Sequence, residues 1–160
     1  MIQPSTLQKY ALFGGLTEEQ IKIIFPVMVE ENFAPKETII TEGKTNDKLF
    51  FILEGQVAVS KKDVILASLC EGDIFGEMEI LDVMPAAASI KALSQVITMT
   101  LSHRSIHDIY RKDLNTFTLF LMNLARDLVR RLRKMDEKYA GNSPAAHSKN
   151  ASSPLGFYSI

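Results

Sequence analysis

A single cysteine, Cys70, is all the thiol chemistry the chain has, which excludes an internal disulfide framework and suits a reducing compartment. Excess charge is missing as well. Eighteen basic against 19 acidic side chains leave a formal net charge of −1 at pH 7, so no global field draws the chain to nucleic acid or an anionic membrane. The longest strongly apolar segment, FTLFLMNLA from Phe117 to Ala125, falls far short of the roughly 20 residues a bilayer-spanning helix needs. The opening MIQPSTLQKYALF has no basic leader followed by an apolar run, so no signal peptide is expected and the expected location is cytoplasmic. No nucleophile–base pair, Walker loop or carboxylate pair is found, and no enzyme activity is expected. What is present is ordinary: 160 residues, 46% apolar and 23% charged, the balance of one globular domain with an appended segment.

The texture along the chain changes three times. Residues 1–30 form a helical segment, in which Thr17 is placed to cap a helix and Gln20 to complete a capping box. Ile21, Ile24 and Phe25 give that helix an apolar stripe, and Pro26 forces a kink or an irregular turn. Residues 31–102 are short β-rich runs divided by turn signals at Pro35-Lys36, Glu42-Gly43-Lys44, Glu54-Gly55, Lys61-Lys62-Asp63 and Glu71-Gly72-Asp73. Their spacing predicts a small antiparallel barrel or roll with one helical insertion, GEMEILDV.

Residues 103–140 return to helix. Ser102 is placed to cap HRSIHDIYRK, and Asp113 or Asn115 to cap a longer helix reaching about Tyr139. Phe117, Leu121, Leu124, Leu128, Leu132, Met135 and Tyr139 step by three or four into one apolar seam. Its first part, to Leu124, is expected to pack on the roll. Beyond Leu128 so small a domain has little core left, and a homodimer through residues 114–139 is expected. Residues 141–160 read as a flexible tail rich in Gly, Ser, Asn, Ala and Pro, and the sequon Asn150-Ala151-Ser152 is ascribed to chance.

The insertion within GDIFGEMEILDVMPAAASIKA, residues 72–92, carries the chemistry. Gly76 permits a backbone conformation closed to other residues and the close approach of a ligand. Glu77 begins a short helix, where backbone N–H groups such as that of Met78 lack intrahelical partners. A carboxylate there accepts hydrogen bonds from sugar hydroxyls, and amides beside it suit an anion, which points toward a nucleotide. Short helices between strands are common, and the residues alone leave the point open.

The order F-G-E-x-x-x-L-x-x-x-P-x-x-A-x-I-x-A, read as Phe75-Gly76-Glu77, Leu81, Pro85, Ala88, Ile90 and Ala92, resembles the phosphate-binding cassette of cyclic nucleotide-binding domains. That family occurs in catabolite activator protein, protein kinase A regulatory subunits and cyclic-nucleotide-gated channels. FAPKETIITEG and DKLFFILEGQVAV resemble its first strands, with Gly43 and Gly55 at its turn glycines, and the resemblance runs from about Leu7 to Tyr139. It implies a mainly β fold with flanking α: an eight-stranded antiparallel, jelly-roll-like β-roll with an N-terminal helix, a short cassette helix and two C-terminal helices. It implies a regulatory sensor for cyclic AMP or cyclic GMP that signals through those last helices to an effector. By the same resemblance Glu77, beside Gly76, holds the ribose 2′-hydroxyl, while amides of the cassette helix and of Ala87 hold the cyclic phosphate. Phe75, Met78, Pro85 and Ala88 complete the binding residues.

The family's phosphate-pairing arginine follows the cassette proline; here that position is Ala86. Glu79 stands where a small residue is usual and adds a negative charge near an anion site, and Lys36 replaces a turn glycine. Losing one side of a buried cation–phosphate pair costs about 2–5 kcal/mol, which lowers affinity roughly 30- to 3,000-fold. Three readings stay open. Arg126, Arg130 or Arg131 of the long helix supplies a substitute contact, Lys91 being out of phase and facing solvent. Alternatively, the alanines with Met78, Ile80 and Met84 line a pocket for a less charged ligand, or the site is degenerate and the chain a dimerisation scaffold. Finally, Phe157-Tyr158 of the tail fills the pocket. A metal or haem at Cys70, His103 and His107 is not expected, since no third ligand has suitable spacing and the cysteine reads as buried. RDLVRRLRK is basic but interleaved with apolar residues, and residues 140–160 show no helical pattern, so DNA binding is not expected.

Overall fold

The computed structural model describes residues 3–141. The tail, with Asn150 and Phe157-Tyr158, lies outside the described residues apart from Gly141. Among the described residues one compact unit ends at Leu124 and a second begins at Ala125.

The first unit opens with two 3-10 turns, Pro4–Lys9 and Ala11–Phe13, and then α1, Glu18–Ile24. The capping box at its start is complete: the Gln20 amide donates to Thr17 Oγ1 at 3.2 Å and the Thr17 amide to Gln20 Oε1 at 3.0 Å. Pro26 cannot continue the helix, and the chain tightens into a 3-10 turn over Phe25–Val27.

Eight strands follow: β1 Val29–Phe33, β2 Thr38–Ile40, β3 Lys48–Glu54, β4 Val57–Lys61, β5 Val64–Leu69, β6 Ile74–Phe75, β7 Ser89–Ala92 and β8 Val96–Ser102. They form two four-stranded antiparallel sheets, ordered β1-β8-β3-β6 and β2-β7-β4-β5, with the helix α2, Glu77–Asp82, inserted between β6 and β7. The fold is the mainly β roll with flanking helices. β1 starts two residues before the texture change in the sequence, because Val29 pairs with Thr100 of β8.

β3 shows how the layers are held. Its run KLFFILE is buried on both faces, which a one-sided sheet would not allow. Leu49, Phe51 and Leu53 join Leu7, Phe13, Ile21, Ile24, Ile109 and Phe120 in a cluster between sheet and helices. Phe50 and Ile52 turn the other way, into a second cluster with Ile40, Val57, Phe75, Ala86, Ile90 and Val96, drawn from both sheets.

Ser102 caps α3, His103–Lys112, accepting from the Ser105 amide at 3.0 Å. Asp113 caps α4, Leu114–Gly141, accepting from the Thr116 amide at 3.1 Å. Of the seam expected to pack, Leu124 is 2% exposed and Phe117 packs against the same cluster, whereas Leu121 is 37% exposed and Thr116, Phe120 and Asn123 complete the buried face. The correction has a polar cause: Asn123 Nδ2 donates to the carbonyls of Leu12 at 3.0 Å and Gly14 at 2.8 Å, which turns that face inward. In the second unit Leu132, Met135 and Tyr139 are exposed, and Arg131 Nε pairs with Asp127 at 2.9 Å. Among the described residues no helix is long and apolar enough to cross a membrane.

Candidate ligand-binding site

β6 delivers the chain to the site. Phe75 pairs with Phe50 of β3, and the two rings stack at 4.7 Å between centroids, 6° from parallel. The next residue, Gly76, turns left-handed at φ +78°. A Cβ here would collide with the Lys48 carbonyl and lie 2.9 Å from Asn46 Nδ2, so sterics and dihedral together require glycine. Asn46 holds the turn from outside, donating from Nδ2 to the Lys48 carbonyl at 2.7 Å and, more weakly, to that of Gly76 at 3.5 Å.

Glu77 follows as the first residue of α2 and is 3% exposed. It is the one ionisable residue among the buried polar side chains of the described chain, the others being Thr98, Thr100, Thr116 and Asn123. Taking a carboxylate out of water is costly unless it is hydrogen-bonded, so its burial sets this turn apart from a solvated loop. α2 ends after one and a half turns at Val83, a β-branched residue at φ +55° and 82% exposed.

Pro85 is exposed and leads into Ala86, which is 3% exposed. The Ala86 amide donates to the Lys44 carbonyl and its own carbonyl accepts from the Gly43 amide, each at 2.8 Å. Its methyl lies in the apolar cluster with Ile40, Phe50 and Phe75. Ala87 and Ala88 are half-buried, and the Ala87 amide donates to Glu79 Oε1 across 3.4 Å, a long hydrogen bond.

The structure thus brings Phe75, Gly76, Glu77, Ala86, Ala87 and Ala88 into one turn-helix-turn segment. Two expectations are corrected. Met78 and Met84 are 54% and 60% exposed and Ile80 packs against the helix-side cluster, because α2 presents only one face to the sheet. Cys70 is exposed rather than buried, at the turn where its amide donates to Asp73 Oδ2. The neighbouring carboxylate of Asp73, more than burial, raises its thiol pKa. His103 and His107 are exposed on α3, and among the described residues no group of three or more His, Cys, Asp or Glu could hold a metal ion. Lys91 faces solvent between the buried Ile90 and Ala92, as its strand phase predicts. Arg130 is exposed, and both Arg130 and Arg131 belong to the second unit. Asn46 and Lys44 escaped the sequence reading: one buttresses Gly76, the other holds Ala86 through its carbonyl, and neither role leaves a pattern along the chain.

The model of the cyclic nucleotide-binding domain family matches residues 30–113, more than half of the 160 residues. A cGMP-dependent protein kinase of Caenorhabditis elegans is 32% identical over 90 residues, 56% of this chain and 12% of that protein. A cAMP-dependent protein kinase regulatory subunit of Hypocrea atroviridis is 32% identical over 95 residues, 59% of this chain and 21% of that protein. The chain therefore spans only 12% and 21% of the lengths of these two relatives. The crystal structure of a cyclic nucleotide-binding domain from Methylobacillus flagellatus superposes with a TM-score of 0.78 at 26% identity, covering 87% of this chain and 81% of that one. With the family's roll, its inserted helix and the match to residues 30–113 in place, the chain belongs to the cyclic nucleotide-binding domain family.

Proposed function

We propose that the protein is a cytoplasmic regulatory sensor whose ligand carries the base and ribose of a cyclic nucleotide. Phe75 to Ala88 form its site, and the C-terminal helices pass the signal to an effector protein. The observation that carries the reading is Glu77: a carboxylate 3% exposed at the start of α2, seated on a glycine that sterics require. A carboxylate is an acceptor only, and the 2′-hydroxyl of a ribose is a matching donor. Ala86 supplies no cation, so cyclic AMP and cyclic GMP bind weakly, roughly 30- to 3,000-fold below a relative with an arginine there. Leu128, Leu132, Met135 and Tyr139 of α4 carry the apolar seam through which a second copy would pair.

The competing reading, a ligand-free dimerisation scaffold, draws on the Glu79 carboxylate bound to the Ala87 amide. Calorimetric titration with cyclic AMP and cyclic GMP separates the two, using the natural chain, Glu77→Ala and Ala86→Arg. Weak binding that Glu77→Ala abolishes and Ala86→Arg strengthens supports the sensor. Silence in the natural chain and in Ala86→Arg, with both folded, supports the scaffold.

A further inference from the structure

We infer that the exposed basic face of α3 docks an acidic segment of the effector protein. This names a partner surface for the sensor reading and rests on that reading for its role; the docking itself is tested with no nucleotide present.

The face follows from the spacing in HRSIHDIYRK, His103–Lys112. Ile109 is 1% exposed and Ile106 packs against the same helix-side cluster, so this side of α3 meets the roll. At about 100° per residue Arg104, His107 and Arg111 project from the opposite side, and all three are exposed. Lys112 is exposed at the end of the helix, and Asp108 is its one acidic residue. Three fixed cations thus stand against one carboxylate, in a chain whose formal net charge is −1. Lys9, Lys22, Lys48 and Arg131 each pair with a carboxylate of their own chain. The side chains of Arg104, Arg111 and Lys112 make no such pair among the described residues, so their donors are left for a partner.

The partner's chemistry follows from these groups. A guanidinium presents a planar fork of donors that fits a carboxylate through two parallel bonds. Arg104 and Arg111 lie about 10 Å apart along the helix axis, so two carboxylates of one short segment can be held together. Tyr110 adds an anchor. It is 49% exposed, with Phe117 of α4 edge-on to its ring at 5.3 Å between centroids. Tyrosine and arginine concentrate the binding energy of protein interfaces, and a ring already held by packing loses little freedom on docking. The helix is about 15 Å long and no net positive field extends past it. A short acidic segment therefore fits this face better than a nucleic-acid backbone, whose binding needs many phosphate contacts.

A backbone bond links the face to the ligand site. The His103 amide donates to the Asp47 carbonyl at 2.9 Å. Next to Asp47, Asn46 Nδ2 reaches the carbonyls of Lys48 at 2.7 Å and Gly76 at 3.5 Å. The first turn of α3 and the turn that seats Glu77 therefore share one support, residues 46–48. A ligand that moves the Gly76 turn also moves the start of the docking helix.

The test follows the backbone amides of Arg104, His107 and Arg111 by NMR in the full 160-residue chain while hexaglutamate is added. Saturating shifts on α3, weakened by added salt, are expected. Arg104→Glu with Arg111→Glu should lower the hexaglutamate affinity at least about tenfold. Melting curves confirm that this double variant is folded; should it unfold, Arg104→Glu alone carries the test, with an expected loss of about threefold. No saturating shift on α3, or undiminished affinity in the folded variants, overturns the inference. Hexathymidylate bound as tightly as hexaglutamate also overturns it, by assigning the face to nucleic acid. Cyclic AMP and cyclic GMP are then added, and a change in hexaglutamate affinity supports the link to the site. An unchanged affinity supports the docking face alone and overturns the link. Failure of both nucleotides to bind removes the sensor reading and is read separately from the hexaglutamate result.

Discussion

The Ala86 amide donates to the Lys44 carbonyl at 2.8 Å while the Gly43 amide donates back to Ala86 at the same distance, locking the residue after Pro85 to the turn before β3. This two-way bond fixes where a longer side chain at position 86 would begin. Ala86→Arg is expected to add a phosphate contact, with position 86 shifting so that the guanidinium leaves the apolar cluster of Ile40, Phe50 and Phe75. Cyclic AMP or cyclic GMP affinity should rise by roughly 30- to 3,000-fold, read by calorimetry. A gain below threefold would show that the segment cannot present a cation to the site.

Gly76 is the residue least open to change. Gly76→Ala places a Cβ against the Lys48 carbonyl and into a left-handed φ of +78°. The left-handed conformation alone costs about 1–2 kcal/mol, and the collision adds to it, so urea unfolding should show a loss above about 2 kcal/mol. Ligand affinity should fall with it, because Glu77 is carried on the displaced turn.

Val83 makes the opposite case. A β-branched side chain at φ +55° with 82% exposure holds a conformation that glycine adopts freely, and it has little packing to lose. Val83→Gly is expected to stabilise the fold by about 1 kcal/mol in thermal or urea unfolding. A loss of stability would mean that the exposed isopropyl group is packed in solution, as against a second copy.

Glu71 ties the N-terminal segment to the turn after β5. Tyr10 Oη donates to Glu71 Oε1 at 2.7 Å and Lys9 approaches it at 3.5 Å. The Tyr10 hydrogen bond, then Lys9, hold the Glu71 carboxyl below its ordinary value. A carboxylate depressed in the folded state adds stability that is present above the unfolded pKa, about 4.3, and is lost as pH falls through the lower folded value. Tyr10→Phe should return the Glu71 titration, followed by carboxyl NMR, toward the ordinary glutamate range and remove that part of the acid dependence. An unchanged titration would contradict the assignment.

The dimer expectation is tested by sedimentation. Leu132, Met135 and Tyr139 are 57%, 56% and 78% exposed along the last turns of α4. The natural chain should sediment as two copies and Leu132→Glu as one; a monomeric natural chain would remove the dimer.

Local signals were readable in the sequence, and contacts made across the fold were not. The Thr17–Gln20 box, the Ser102 and Asp113 caps and the break at Pro26 depend on residues within four positions of one another, and each stands as its spacing predicts. The cassette order from Phe75 to Ala92 was legible through its resemblance to the family's pattern, in which Gly76 answers a backbone demand. On α4, Leu124 and Phe117 pack as their period predicts, but Asn123 was missed, because it is polar and is drawn in by carbonyls more than a hundred residues away. Glu79 was legible as a charge near the site; that its carboxylate holds the Ala87 amide is a property of the folded turn.

The most direct test follows the backbone amides of Gly76, Glu77, Ala86, Ala87 and Ala88 by NMR while cyclic AMP, then cyclic GMP, is added. If this segment is the ligand site, those five peaks shift together and saturate, Ala87 strongly as its bond to Glu79 is exchanged. Saturating shifts elsewhere with these five unmoved, or no shifts from either ligand, would contradict it.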